Sequence, residues 1–275
     1  MKIKLDFICA SIDKTEYLIE FLIGFNKIKN HPNFEINLIL VDQHHTNREN
    51  ILKEIYPQII YIHSERKGLS LNRNIGLSKS KSKFYSFIDS DCSIDENYFN
   101  VLNKIIKKEC PNNEDISIFG KIQSKEDKKD ILKRWPSKTK KLKHIDIWRL
   151  STSVNIVYNC KKIEFDEDLG IGARFGSCED IDYSLRAKGK KIYNPNLITY
   201  HPKQSFHQSD NEKIKSYGLG FGALCKKNLS FLSICIMTAG IAKKIIDPFL
   251  GKAKFNQSLI SIKARILGFI LYEKN

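Results

Sequence analysis

The sequence predicts an α/β protein with a doubly wound, mostly parallel sheet and a C-terminal helical appendage. Strand and helix signals alternate over the first half of the 275-residue chain, which is typical of parallel strands joined by helices. The length suits one large domain with an appendage. From Leu229 onward, short apolar helices alternate with lysines instead. We therefore predict a sheet domain at residues 1–225 and amphipathic helices at residues 226–275.

Apolar runs and capping patterns define the individual elements. Asp13 with Glu16, and Thr46 with Glu49, have the spacing of a capping box at a helix start, and Asp95 precedes a third helix. Strands are predicted at residues 3–10, 37–41, 59–63, 84–88, 116–122, 154–159 and 197–200. Helices are predicted at residues 13–26, 46–55, 70–77, 95–108, 229–242, 245–250 and 259–272.

Composition restricts the partners and the compartment. The net charge of +15 and the pI near 9.4 indicate acidic partners, such as nucleotide phosphates, anionic lipid or nucleic acid. The seven cysteines form no CxxC pair, which favours reduced thiols in a cytoplasm over disulfides or a zinc site. The N-terminus does not resemble a signal peptide, and no apolar run reaches the length of a membrane-spanning helix. The basic segment 121–144 is either a solvated loop or an anion-facing flap.

Two acids follow the fourth predicted strand. Side chains alternate faces along a strand, so Asp89 and Asp91 point the same way at its carboxyl end. Open α/β sheets bind their ligands at that edge. Carboxylates and substrate phosphates together suit Mg²⁺. The segment therefore predicts a metal-diphosphate site, with an acidic turn as the alternative.

A second group of acids follows a glycine-rich stretch. Glu179 and Asp180 lie where a loop enters a helix, so they either cap that helix or include a general base. His201 ends a later strand, where it is either structural or a metal ligand.

In combination, these motifs resemble the family 2 glycosyltransferases of the GT-A, Rossmann-like fold. The similarity extends from about Lys2 to His201. It is strongest in the segment GLSLNRNIGL at residues 68–77, followed by FIDSD at residues 87–91. Glu179-Asp180 is similar to the ED motif of the family.

The resemblance implies a donor site at the strand ends. It implies that Asp42 contacts the nucleotide base, Arg73 approaches the nucleotide or its diphosphate, and Asp89 lies near the ribose or the metal. A divalent cation, Mn²⁺ or Mg²⁺, is expected. The implied nucleotide-sugar residues are Ser11, Asp42, Arg73, Asp89 and Ser90, and the implied metal ligands are Asp89, Asp91 and His201.

The resemblance also implies an inverting transfer of sugar, with a UDP-sugar as the expected donor and a glycan or a lipid-linked molecule as acceptor. Asp180 is then the general base, and Glu179 contacts the acceptor. The segments 9–13 and 42–46 lack the family's usual proline and glycine turn, which predicts a reshaped base pocket.

Two other functions remain open at this stage. One is a haloacid-dehalogenase-like phosphohydrolase, which also has Asp-x-Asp after an apolar strand. The other is a non-catalytic basic protein that binds membrane or nucleic acid, although no nucleic-acid motif is present. We expect a cytoplasmic enzyme of surface-polysaccharide synthesis. Two questions are open at this stage: whether it binds peripherally to the inner face of the membrane, and whether it forms a homodimer.

Overall fold

The computed structural model describes residues 2–28, 30–203 and 211–273. The chain divides into two compact units. Unit 1 comprises Met1–Lys67, Leu71–Glu164 and Ser184–Gln204. Unit 2 comprises Gly68–Ser70, Phe165–Tyr183 and Ser205–Asn275. The boundary predicted after residue 225 remains a prediction.

Unit 1 is built on a single ten-stranded sheet with the order β2-β3-β1-β5-β9-β7-β10-β6, in which β4 also pairs with β3 and β8 with β10. The strands are β1 (Ile3–Ser11), β2 (Asn30–His31), β3 (Phe34–Asp42), β4 (Ile60–His63), β5 (Phe84–Phe87), β6 (Ser93–Ile94), β7 (Ile116–Ser124), β8 (Lys140–Lys141), β9 (Ile156–Asn159) and β10 (Lys190–His201).

The sheet confirms the predicted α/β fold, and its longest pairings are parallel. β1 is parallel to β3 and β5, and β7 is parallel to β10. β9 lies between β5 and β7 and runs antiparallel to both, so the sheet is mixed. The strand begins later than predicted because Ser153–Asn155 form a 3-10 turn, in which Thr152 donates to the Asn155 side chain.

Five helices begin in unit 1 or at its border, and several start later than the capping patterns predict. Thr46 contacts His44 instead of capping, and the second helix begins at Glu49. Asp95 accepts from the Asn97 amide, one turn before the helix. The helices are α1 (Thr15–Ile28), α2 (Glu49–Ile55), α3 (Leu69–Lys79), α4 (Tyr98–Glu109) and α5 (His144–Leu150), and the sequence did not predict α5.

Unit 2 is helical. It contains the start of α6 (Glu179–Arg186), then α7 (Asn211–Lys227), α8 (Phe231–Ile246) and α9 (Phe255–Leu271). The helix predicted at 245–250 is wrong: α8 continues to Ile246, and a turn with Gly251 at φ +66° follows. α7 was not predicted, because its glycines are poor helix formers. Among the described residues, no helix is long and apolar enough to cross a membrane.

Candidate active site

Three neighbouring parallel strands bring the predicted donor residues to one edge of the sheet. Ser11 ends β1 and is paired with Asp42, which ends β3. Asp89 and Asp91 follow β5, the other neighbour of β1. Because β1, β3 and β5 are parallel, their carboxyl ends share the edge at which α/β sheets bind ligands.

Arg73 positions the first acid of the Asp-x-Asp motif. Its Nη2 donates to Asp89 Oδ1 at 3.0 Å and to Ser153 Oγ at 2.8 Å. The Arg73 side chain is 2% exposed, whereas Asp89 is 39% exposed. A buried guanidinium thus orients a carboxylate that remains accessible. The predicted contact of Arg73 with the nucleotide remains a prediction.

Asp91 and His201 form a candidate metal centre. Strand β6 pairs antiparallel with β10, with Ser93 opposite Tyr200, and this pairing brings the two side chains together. His201 Nε2 lies 3.7 Å from Asp91 Oδ2. His201 Nδ1 donates to the Pro202 carbonyl at 2.6 Å, which places a proton on Nδ1 and turns Nε2 toward Asp91.

The donor set at this centre fits a hard divalent cation. Potential ligand atoms of Asp91, Cys92 and His201 lie within 4.8 Å of one another. Burial, followed by the charges of Asp89 and Asp91, raises the pKa of the Cys92 thiol well above its usual value. The thiol donates to Asp91 Oδ1 at 3.5 Å, so Cys92 supports the carboxylate. A carboxylate oxygen, an imidazole and phosphate oxygens form a set typical of Mg²⁺ or Mn²⁺.

The surroundings of Asp91 raise the pKa of its carboxylate. Half of its side chain is exposed, yet the surrounding protein desolvates the carboxylate and raises its pKa. His201 opposes this effect, and the Asp89 carboxylate adds to it. A cation bound here would relieve the repulsion between the two acids.

A hydroxyl-carboxylate network links the loop after β1 to the Asp-x-Asp motif. Ser90 Oγ donates to the Asp13 carboxylate, which also accepts from Ser11 Oγ at 3.2 Å. The two hydroxyls lie 3.0 Å apart, and both serines are buried. The structure therefore brings together the predicted pair Ser11 and Ser90 through Asp13, which the sequence indicated only as a helix cap.

Asp42 is completely buried and its oxygens are already occupied. Arg48 Nε and Nη2 donate to its two oxygens at 2.9 and 2.5 Å, and Tyr61 OH donates at 2.8 Å. The His44 amide donates at 3.1 Å. Sequence patterns did not indicate Arg48, which becomes a partner of Asp42 only when the start of α2 lies beside the sheet. Direct contact of Asp42 with a nucleotide base remains a prediction.

A cavity of about 760 Å³ opens beside Asp91. Its lining combines the aromatic side chains Tyr17 and Phe21 with Lys125 and Lys128. Both lysines belong to the segment that the sequence predicted as a loop or flap. They place positive charge in unit 1 close to the candidate metal centre, where it suits a phosphorylated ligand.

In unit 2, Glu179 and Asp180 occupy the first turn of α6, as the sequence predicts. Glu179 is 8% exposed, and Gly170, at φ +102°, lies so close that an added Cβ would be 3.2 Å from its carboxyl carbon. The acids in the first turn of a helix suit the helix dipole, so the capping interpretation also agrees with this placement.

Sequence reasoning missed two further residues near this helix, Lys227 and Tyr217. Lys227 Nζ lies 2.6 Å from Asp166 and 3.0 Å from the buried Asp182, which anchors α6. Burial, followed by the charges of Glu179 and Asp180, raises the pKa of Tyr217. The influence of both carboxylates indicates that the phenol lies near the predicted base.

The mixed, largely parallel sheet of unit 1 is consistent with the GT-A fold. A family model described as "Glycosyl transferase family 2" matches residues 18–161, more than half of the chain. The chain therefore belongs to glycosyl transferase family 2. A comparison with curated protein sequences finds no significant match.

Solved structures of S. aureus TarS share this fold. TarS 1-349 in complex with UDP is 16% identical, with a TM-score of 0.59, over 80% of this chain and 65% of that chain. TarS 1-349 in complex with UDP-GlcNAc is 14% identical, with a TM-score of 0.59, over 97% of this chain and 89% of that chain. The chain spans 45% of the length of TarS in a further structure. At these identities, the likeness shows the fold alone.

Proposed function

We propose that this chain transfers a sugar from a nucleotide-sugar donor to a hydroxyl of a glycan or lipid-linked acceptor, with inversion at the anomeric carbon. The proposal rests on the position of Asp91 and His201, whose Oδ2 and Nε2 atoms lie 3.7 Å apart. They lie at the edge of the sheet where α/β proteins bind ligands, in a chain of glycosyl transferase family 2. A UDP-sugar is the expected donor, which the structures of TarS in complex with UDP and UDP-GlcNAc support. Family membership disfavours the phosphohydrolase alternative.

Asp91 and His201 are proposed to hold Mn²⁺ or Mg²⁺, with Asp89 beside them. When bound, the cation would offset the charge on the departing diphosphate. Arg73 fixes Asp89 in place, and the Nδ1 proton of His201 fixes the imidazole in the tautomer that a cation requires. Ser11 and Ser90 are proposed to contact the donor from the same edge.

Asp180 is proposed as the general base. It would accept the proton of the acceptor hydroxyl as that oxygen attacks the anomeric carbon from the face opposite the diphosphate. One displacement inverts the centre, so no protein nucleophile is needed. Glu179, nearly buried beside it, is proposed to orient the acceptor.

The metal proposal is tested by calorimetry of UDP binding with and without Mn²⁺. Asp91→Asn and His201→Gln should lose the Mn²⁺-dependent part of the affinity and keep the fold. Asp130→Asn is the matched control, since Asp130 is a half-exposed acid of unit 1 that pairs with Lys121. If Asp91→Asn binds UDP with Mn²⁺ as tightly as the control, Asp91 is not a ligand.

The base proposal is tested by single-turnover transfer. Asp180→Asn should bind donor normally and transfer about 10² to 10⁴ times more slowly, because only proton removal is lost. Glu179→Gln should slow the chemical step less. Glu212→Gln, at a highly exposed acid of unit 2, should match the wild type. A wild-type rate for Asp180→Asn would show that another group takes the proton.

A further inference from the structure

Unit 2 exposes an unusual number of large apolar side chains. Phe231 is 84% exposed, Phe249 74%, Ile270 67% and Phe255 65%. Scattered exposed apolar residues are ordinary on a protein surface, whereas a continuous group marks an interaction site. The arrangement of these side chains therefore decides their meaning.

Exposed apolar side chains cluster at both ends of the pair formed by α8 and α9. Phe231 and Ile234 begin a stripe along α8, and Ile266 and Ile270 lie four residues apart on one face of α9. A shallow groove lined by Ile234, Ile266 and Ile270 joins the two stripes. At the other end, the rings of Phe249 and Phe255 are in edge contact, with centroids 5.3 Å apart. We name this surface the apolar face and define it by Phe231, Ile234, Phe249, Phe255, Ile266 and Ile270.

The charges around the apolar face have one sign. Lys243 lies in the last turn of α8, Lys252 and Lys254 flank the turn beside Phe249 and Phe255, and Lys263 lies on α9, all four being exposed. The sole acid between residues 228 and 272 is Asp247, which is buried and paired with Lys244 at 3.4 Å. Within residues 228–272 the exposed charges are therefore cationic, and the next acid, the exposed Glu273, follows the end of α9.

This charge pattern discriminates between the two candidate occupants. In a symmetric dimer, the same surface of each copy meets the other, so the lysines of one copy would approach those of the other, and Glu273 is the one exposed acid of the described residues 228–273. An anionic lipid surface offers both complements, because its headgroups pair with lysines and its acyl region accepts apolar side chains.

We propose that the apolar face binds an anionic lipid surface, with α8 and α9 lying in the interface. Phe231, Phe249, Phe255 and Ile270 insert among the lipids, and Lys252 and Lys254 contact the headgroups. This inference does not depend on the proposed catalysis, because it rests on residues of α8, α9 and their connecting turn alone.

The test is flotation of the full chain with phosphatidylcholine vesicles that contain or lack 30% phosphatidylglycerol. The chain should float only with the anionic vesicles and be released by high salt. Phe231→Ser with Ile270→Ser should lower the vesicle affinity at least tenfold without unfolding the chain, since both side chains are exposed. Lys252→Gln and Lys254→Gln should each lower it about fivefold, the equivalent of about 1 kcal/mol per charge near the surface.

Matched controls distinguish binding through the apolar face from non-specific hydrophobic or electrostatic binding. Ile51→Ser removes an exposed apolar side chain of α2. The double variant Lys104→Gln with Lys107→Gln removes two exposed charges of α4. Both variants should float as the wild type does. Cys235, the exposed cysteine next to Ile234, gives an independent measurement. Its reaction with a thiol reagent should slow when anionic vesicles are added.

Three results would overturn the inference. Equal flotation with neutral and anionic vesicles would show that the lysines do not contribute to binding. Wild-type flotation of the Phe231→Ser, Ile270→Ser chain would place the contact elsewhere. Failure to bind vesicles, together with concentration-dependent self-association that the same two substitutions abolish, would assign the apolar face to a second copy of the chain.

Discussion

Removing Arg48 should destabilise unit 1 far more than removing a surface cation of the same helix region. The side chains of Arg48 and Asp42 are 3% and 0% exposed. Arg48→Ala would leave the Asp42 carboxylate buried without its cation. Breaking a buried ion pair from one side typically costs about 3–5 kcal/mol, a large share of the roughly 5–15 kcal/mol that stabilises a domain.

The loss should also reach the candidate donor site. Arg48 Nη1 donates to the Asp13 carbonyl at 2.8 Å and to Thr15 Oγ1 at 3.2 Å, so it fixes the loop after β1 as well as Asp42. We therefore expect UDP affinity to fall together with stability in Arg48→Ala. Arg48→Lys should lose less, because it keeps the charge but cannot reproduce the bidentate geometry.

The change in stability is measured by urea unfolding, monitored through tryptophan fluorescence, since Trp135 and Trp148 both belong to unit 1. Lys53→Ala is the control. The ion pair between Lys53 and Glu49 is nearly as short, at 2.6 Å, but the two side chains are 45% and 39% exposed. Its loss should therefore lower the free energy of unfolding by only about 0.3–0.5 kcal/mol. The double variant Asp42→Leu with Arg48→Met should cost less than Arg48→Ala, because no charge is left buried. A cost below about 1 kcal/mol for Arg48→Ala, or a cost equal to that of Lys53→Ala, would refute this reasoning.

Three further predictions address other parts of the molecule. Asp13→Asn should weaken Mn²⁺-dependent UDP binding in calorimetry by disturbing Ser11 and Ser90, whereas Asp130→Asn should not; unchanged affinity would separate the network from the donor site. Gly222→Ala should loosen the packing of α7 on α9, because its Cβ would lie 2.0 Å from the Arg265 carbonyl oxygen; hydrogen exchange in α9 should accelerate, with a cost of about 1–3 kcal/mol. Gly24→Ala, with nothing within 4 Å, should be neutral or stabilising by up to about 1 kcal/mol. Burial opposes the ionisation of Asp166, but hydrogen bonds from Lys227 and Tyr272 outweigh it and lower its pKa. The resulting stabilisation is present above the unfolded pKa of 3.8 and is lost as pH falls through the lower folded value. The protection of α9 amides, corrected for the intrinsic exchange rate at each pH, should therefore fall below about pH 4, and an equal loss of protection in Asp166→Asn would contradict this.

Local sequence patterns determined the parts of this protein that depend on neighbours along the chain. The alternation of apolar runs and helix signals indicated the α/β class, and the apolar run of β5 placed Asp89 and Asp91 just after its carboxyl end. The two-residue period of a strand does not reach the two acids, because β5 ends at Phe87 and a turn follows, in which the Cys92 amide donates to the Asp89 carbonyl. The entry of Glu179 and Asp180 into a helix followed from their own segment. In each case the physical cause lies within a few residues.

Tertiary structure decided what depends on residues far apart in sequence. The approach of His201 to Asp91 requires β10 to pair with β6, and the occupation of Asp42 requires Arg48 to be buried beside it. The exposure of the apolar face was also undetermined, since an apolar helix of this length has the same composition whether it is buried or exposed. Only packing separates these outcomes, because the burial of a side chain depends on which other elements cover it.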